Sequence, residues 1–212
     1  MAMSNISPTR MNLLKFKRSL QLAESGREIL EKKRDVLMVE LRNFAYDLRR
    51  VRIELGNRLN EAFSYIEKAA VHLGIEKLGI ITELTSFPVE FSVDYRSIMG
   101  VLVPRIKIES ERPHPDYGFL GTNIYLDIAF KRLSESLDLI CELAELEESI
   151  RRIAEAVEST QRRINALKHI YIPSYREIVK KIEMMLEERE REEFVRMKKV
   201  KSLMERRRIA SG

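Results

Sequence analysis

The sequence predicts a mainly α chain: a long antiparallel two-helix coiled coil with a short central β-hairpin. Three observations carry this. Residues 9–73 place apolar side chains at alternating steps of three and four, and residues 123–209 do so again. Between them the period drops to two, the signature of strands. The chain therefore divides into an N-terminal long helix (1–73), a central segment (74–122) with a hairpin at about 87–108, and a C-terminal long helix (123–212) with a basic end.

In the first tract the stripe runs Leu13, Phe16, Leu20, Ala23, Leu30, Leu37, Leu41, Phe44, Leu48, Val51 and Leu55, with Arg27 and Arg34 as polar seam positions. It continues through Leu59, Ala62, Ile66, Ala69 and Leu73, and the two consecutive fours across Val51, Leu55 and Leu59 locally unwind a supercoil. At 1.5 Å per residue the two tracts would extend roughly 100 and 130 Å. Pro8 suits a first helical turn, with Ser7 or Thr9 as its cap. The helix is expected to weaken at Gly74 and lose regularity through Gly79.

The alternation Phe87, Val89, Phe91, Val93, Tyr95 reads as a strand with that face half-buried, followed by a turn around Ser97 to Gly100 and a return strand through Val101 to Ile108. Pro104 cannot donate to a ladder, so this strand is expected at an edge or bulged there. An isolated hairpin is marginal in water, so one face should pack on a helix or a partner. Residues 111–118 read as an exposed turn before the second helix, which begins near Thr122. That helix carries Leu133, Leu137, Ile140, Leu143, Leu146, Ile150, Ile153, Val157, Thr160, Ile164, Leu167, Tyr171 and Ile178. Pro173 interrupts it. A kink is expected at Ile170 to Pro173, either a tolerated bend or a place that accommodates an uneven partner surface.

Of the 212 residues 33% are charged and 44% hydrophobic, with no Trp, which suits solvated helices with one buried stripe. The net charge of +5 concentrates at the chain ends: Arg10, Lys15, Lys17 and Arg18, then Arg196, Lys198, Lys199, Lys201 and Arg206 to Arg208. An antiparallel pair brings both clusters together, where they can attract an acidic surface, although cations in a last helical turn also suit the helix dipole. Nucleic-acid binding is not expected, because Phe194 is almost the sole aromatic residue near the cluster. Cys141, the single cysteine, admits no intrachain disulfide and reads as a small buried apolar residue. No unbroken apolar run of about 18 residues appears, so the chain is not expected to span a membrane by itself.

Chemistry has no foothold. There is no G-x-x-x-x-G-K-[ST] phosphate loop, and His72, His114 and His169 are scattered with no cysteine pair beside them. The carboxylates Glu142, Glu145, Glu147 and Glu148 read as a solvated face with Arg151 and Arg152. No catalytic residue, cofactor or metal is expected.

Several short strings say more. Pro8-Thr9-Arg10 with Leu14-Lys15, Lys17-Arg18 and residues 30–37, then Arg162 to Leu167, Ile172-Pro173, Glu188 to Phe194 and Lys198 to Lys201 resemble the two ends of the D subunit of the archaeal and vacuolar-type rotary ATPases. Met99-Gly100-Val101 with Val103-Pro104 resembles that family's central hairpin. The resemblance implies a non-catalytic central-stalk shaft at the cytoplasmic face of the cell membrane, bound to it only through the complex. It further implies that the shaft turns inside a ring of A and B subunits and also binds the small F subunit of the stalk and a C/d socket subunit on the membrane rotor. On that basis Arg10, Lys15, Lys17, Arg18, Arg196, Lys198, Lys199 and Lys201 are expected to face the ring. Phe87, Val89, Phe91, Met99, Gly100, Val101 and Pro104 would form a partner-contact or regulatory hairpin. A structural or adaptor coiled coil without rotary role explains the heptads but not these strings.

Overall fold

The computed structural model describes residues 7–84, 89–109, 117–118 and 121–210, and of residues 84 and 205–210 the backbone alone. Helix α1 spans Arg10–Leu73 and α2 Ile75–Leu84; strands β1, Phe91–Ile98, and β2, Val101–Ile108, pair antiparallel; α3 is Ile124–Ala166 and α4 Ile172–Ala210, with a π-helical turn, Leu167–Tyr171, between them. The chain divides into two compact units, Met1–Arg34 with Thr160–Gly212 and Asp35–Ser159.

Thr9 caps α1. Its hydroxyl accepts the Asn12 N–H at 3.2 Å, while Ser7 is used differently, accepting from the Asn12 side-chain amide. Pro8 thus precedes the helix instead of sitting inside it. The other end of α1 is set by Gly74, whose φ of +83° is the left-handed conformation that terminates helices. Regularity resumes at once, and α2 runs unbroken through Gly79, contrary to the loss of order read from that glycine.

Every position of the first apolar stripe is buried or half-buried, and so are Arg27 and Arg34. In the first unit Arg27 has an ion pair but its buried Nε makes no hydrogen bond, whereas Arg34 is hydrogen-bonded. Arg27 Nε lies 3.6 Å from Glu31 Oε1, and Arg34 donates to Gln161 Oε1 at 3.1 Å, whose amide in turn donates to Asn165. In the second unit Leu37, Phe44, Val51 and Leu55 of α1 join Leu139, Leu146 and Ile153 of α3 and Val103 of β2 in one apolar cluster.

The second stripe departs from expectation at both ends. Toward its start Ser136 and Leu139 are buried and Ile140 is exposed. A serine can occupy that seam because its hydroxyl donates to the Arg132 carbonyl at 2.8 Å, so no polar group is stranded. Toward its end the seam moves by one residue. Tyr171 is 49% exposed and Ile178 only half-buried, whereas Ile172 is 4% and Val179 8% exposed. The π turn causes this: Ile172 N–H donates to the Leu167 carbonyl five residues back, so one extra residue is accommodated and the phase slips by one.

Pro173 explains why the extra residue is there. A proline ring collides with the carbonyl four residues earlier in a regular helix, and a wider turn immediately before it relieves that contact. Deleting His169, which is exposed, should convert the turn to α-helix while keeping Ile172 and Val179 in the seam. It should cost about 3 kcal/mol through the restored proline clash. Pro173→Ala should recover most of that loss in the deletion but not in the parent chain, a coupling that urea denaturation of the four variants would read.

Candidate partner surfaces

The hairpin turn is Met99–Gly100, with φ of +49° and +81°. Two left-handed residues in a two-residue loop give the turn whose twist matches paired strands, and glycine fits while Met99 is held in a conformation non-glycine residues rarely adopt. Strand β2 runs from Val101 to Ile108 as read from the sequence, whereas β1 is displaced toward the turn. Val89 is half-buried and outside β1, Ser97 and Ile98 belong to the strand instead of the turn, and Phe87 lies outside the described residues.

The sheet's faces are also exchanged. Directly opposed residues share a face, so the register puts Ile98 and Arg96 with Val101 and Val103. This side meets the helices: Val103 is fully buried, Ile98 and Val101 pack on the cluster, and the Arg96 guanidinium lies over the Phe44 ring at 5.8 Å. The face expected to be half-buried is the outer one, with Phe91 64%, Tyr95 57% and Leu102 57% exposed. Alternation marks an apolar face, but here both faces carry apolar residues, and on the outer one burial is confined to the β2 side, where Pro104 is buried and Ile106 half-buried.

Two α3 side chains fasten the hairpin along the outer edge of β2. Arg152 donates to the Leu102 carbonyl at 3.0 Å and lies over the Tyr95 ring, while Glu145 accepts from the Ile106 N–H. Pro104, buried in β2 opposite Tyr95, lacks the N–H that would otherwise need a partner on that edge. Sequence reasoning placed Glu145 and Arg152 on a solvated face. The signal that could have separated them is Pro104 itself, which marks an edge whose neighbouring backbone groups need side-chain partners.

Glu148 holds Arg152 in place. Hydrogen bonds from Arg151 and then Arg152 outweigh the opposing effect of burial and, with the charges of both, hold its carboxyl down from 4.5 to about 2. Because the folded value is depressed, this stabilisation is complete above about pH 4.5 and is lost as pH falls toward 2. Thermal unfolding of the parent and of Glu148→Gln should therefore differ most above about pH 4.5 and converge near pH 2, and a constant gap would contradict this. Burial, followed by the nearby Asp138 and Glu145 charges, raises the Cys141 thiol, so this half-buried cysteine is no activated nucleophile.

In the first unit the basic residues separate into those paired with carboxylates and those that border a groove. Arg10 and Glu190 pair at 2.7 Å, Lys17 and Glu183 at 2.6 Å, and Arg196 approaches Glu192 at 3.6 Å. Lys15 and Arg18 instead border a shallow groove with Met11, Leu14 and Leu22. Arg189 donates to the Pro8 carbonyl, so α1 begins beside this turn of α4. Beyond it α4 runs on to Ala210 as a single helix. There Phe194, Val195, Met197, Val200, Leu203 and Met204, all more than half exposed, are interleaved with Lys198, Lys199 and Lys201; Lys198 follows Phe194 by one turn, and Lys201 follows Met197 by one turn. Lys201 is exposed as well; the Arg206 to Arg208 side chains lie outside the described residues. Pro173 is exposed at the second position of α4.

Among the described residues no group of His, Cys, Asp or Glu could hold a metal ion, and no helix is long and apolar enough to cross a membrane. A family profile for the D subunit of ATP synthase matches residues 12–202. The chain belongs to the ATP synthase D-subunit family. It is 40% identical over 203 residues to the D subunit of the A-type ATP synthase of Thermococcus sibiricus, covering 94% of this chain and 95% of that one. The corresponding subunit of Methanopyrus kandleri is 39% identical, over 98% of this chain and 90% of its own. That of Pyrococcus abyssi is 40% identical over 95% and 96%. The D-subunit family thus accounts for the paired helices and the hairpin together, since the match runs across all of them.

Proposed function

We propose that this chain is the central-stalk shaft of a rotary ATPase or ATP synthase, a non-catalytic subunit that couples rotation of the membrane rotor to conformational change in the catalytic ring. The observation that carries this reading is family membership along nearly the whole chain, on a fold whose described residues are long helices and one hairpin. Rotation acts through differential contact. A ring whose sites sit in an open-closed equilibrium responds to a shaft only as far as the shaft's faces contact those states differently. The end of α4 offers such contacts: exposed apolar side chains, Phe194, Met197, Val200 and Met204 among them, interleaved with Lys198, Lys199 and Lys201.

On this reading Lys198, Lys199 and Lys201 meet the inner surface of the A and B ring, joined by Lys15 and Arg18. Arg10 and Lys17 serve first to bind α1 to α4, a role the sequence alone did not separate from partner contact. The exposed face of the hairpin is left for the small F subunit or the rotor socket. The test is co-expression of the tagged chain with the ring and small stalk subunits, followed by ATPase assay. A stoichiometric complex whose turnover depends on this chain is expected. A chain that folds yet never joins the ring, or joins it without affecting turnover, would favour the adaptor reading.

A further inference from the structure

The two outer edges of the hairpin are treated differently. Glu109 N–H donates to the Glu90 carbonyl at 3.0 Å in continuation of the ladder, so the even residues of β1 point their backbone groups toward β2. The odd ones, Phe91, Val93, Tyr95 and Ser97, point theirs outward. By the same parity Leu102, Pro104 and Ile106 form the outward edge of β2. The chain closes that edge itself, with Arg152 on Leu102, Glu145 on Ile106 and a proline between them. Along β1 there is no proline and no lysine. No backbone partner meets its outward groups among the described residues. An edge eight residues long that no described backbone covers is a template for another strand, a hazard that soluble proteins usually blunt.

We propose that β1 receives a β-strand from another subunit of the assembly, extending the hairpin to three strands. This rests on the reading that the chain works inside a rotary ATPase. A strand fits the edge better than a helix does. Outward N–H and C=O groups recur every second residue, about 6.8 Å apart, and only an extended backbone meets them in step. Side chains give the incoming strand its pattern. Its residues on the Val93 and Tyr95 face are apolar, and those on the other face are polar, to meet Asp94 and Arg96. A two-stranded ribbon is marginal, and a third strand also covers the exposed Phe91 and Tyr95.

Proline tests this selectively. Val93→Pro removes one outward N–H and leaves the ladder to β2 intact, whereas Asp94→Pro breaks that ladder and serves as the disruptive control. Amide hydrogen exchange is read on the isolated chain and on the complex reconstituted with the ring and stalk subunits. In the isolated chain the Val93 and Tyr95 amides should exchange about 100-fold faster than those of Asp94 and Arg96. In the complex all four should be protected alike. Val93→Pro should weaken retention of the strand-donating subunit by at least about tenfold, with the unfolding midpoint of the isolated chain unchanged. Outward amides that stay fast in an assembled complex would overturn the proposal while leaving the shaft reading intact, and failure of the complex to form would count against that reading instead. Tyr95→Ala weakening retention while Val93→Pro does not would mean that side chains alone are docked, and the proposal falls. Protection in the isolated chain together with a dimer by sedimentation would assign the edge to a second copy and overturn it equally.

Discussion

Removing residues 191–212 will leave the paired helices folded and abolish coupled ATP turnover. The cut falls just beyond the last contacts that hold α4 to the start of α1, Glu190 with Arg10 and Arg189 with the Pro8 carbonyl. Nothing in the apolar cluster or the described ion pairs of the helix pair is lost, apart from Arg196 with Glu192 on the removed segment itself. The unfolding midpoint should move by no more than about 3 °C. Partner binding should fall steeply. Phe194, Met197, Val200 and Met204 are 64, 65, 52 and 67% exposed in the chain alone, and burying four such side chains contributes on the order of 5 kcal/mol before the costs of association. A loss of ring affinity of about 100-fold or more is expected, read by titrating the truncated chain into the ring subunits. Two double variants then separate the apolar contribution from the charged one. Phe194→Ala with Met197→Ala should weaken the complex at all salt concentrations, while Lys198→Glu with Lys199→Glu should weaken it mainly at low salt, where surface charges are least screened. Full affinity after truncation would mean that this segment does not contact the ring.

How far this was legible in the sequence depends on whether a pattern had one physical cause. The stripe of α1 was legible residue by residue, because a continuous helix preserves its phase and Arg27 and Arg34 do no more than substitute polar contacts for apolar ones. The stripe beyond Leu167 was not, because heptad counting assumes one residue per 100° and a π turn breaks that assumption. Pro173 announced the disturbance, yet its resolution was a widened turn, which moves every later seam residue by one. The hairpin shows a second limit. Period two identified its strands and Met99-Gly100 its turn, but both faces offered apolar side chains and the packing of Val103 into the helices' apolar cluster could not be chosen from β1 alone. Long-range fastenings such as Arg152 to Leu102 have no periodic signature at all, since charged residues on a helix surface read the same whether they meet water or a strand edge.

Val103→Lys will detach the hairpin from the helices while leaving them helical. Val103 is fully buried and belongs to the apolar cluster that α1 and α3 form, and its opposed residue in the sheet is Arg96. A lysine there places an ammonium in an apolar cluster with a like charge directly across the pair, and both effects oppose it. The structure's cheapest response is to release β2, which forfeits the Arg152 and Glu145 fastenings, instead of separating α1 from α3, whose seam extends well beyond the hairpin. The cost should be about 3–5 kcal/mol for an uncompensated buried charge, limited by release of the strand. Val103→Ala should cost about 2 kcal/mol through the cavity it leaves and keep the hairpin attached. Urea denaturation measures both losses. Far-UV circular dichroism should retain the helical signal within about a tenth in both variants, whereas the amides of Asp94 and Arg96 should lose protection only in Val103→Lys. Collapse of the helical signal in Val103→Lys would mean that the hairpin is integral to the helix pair and cannot be released from it.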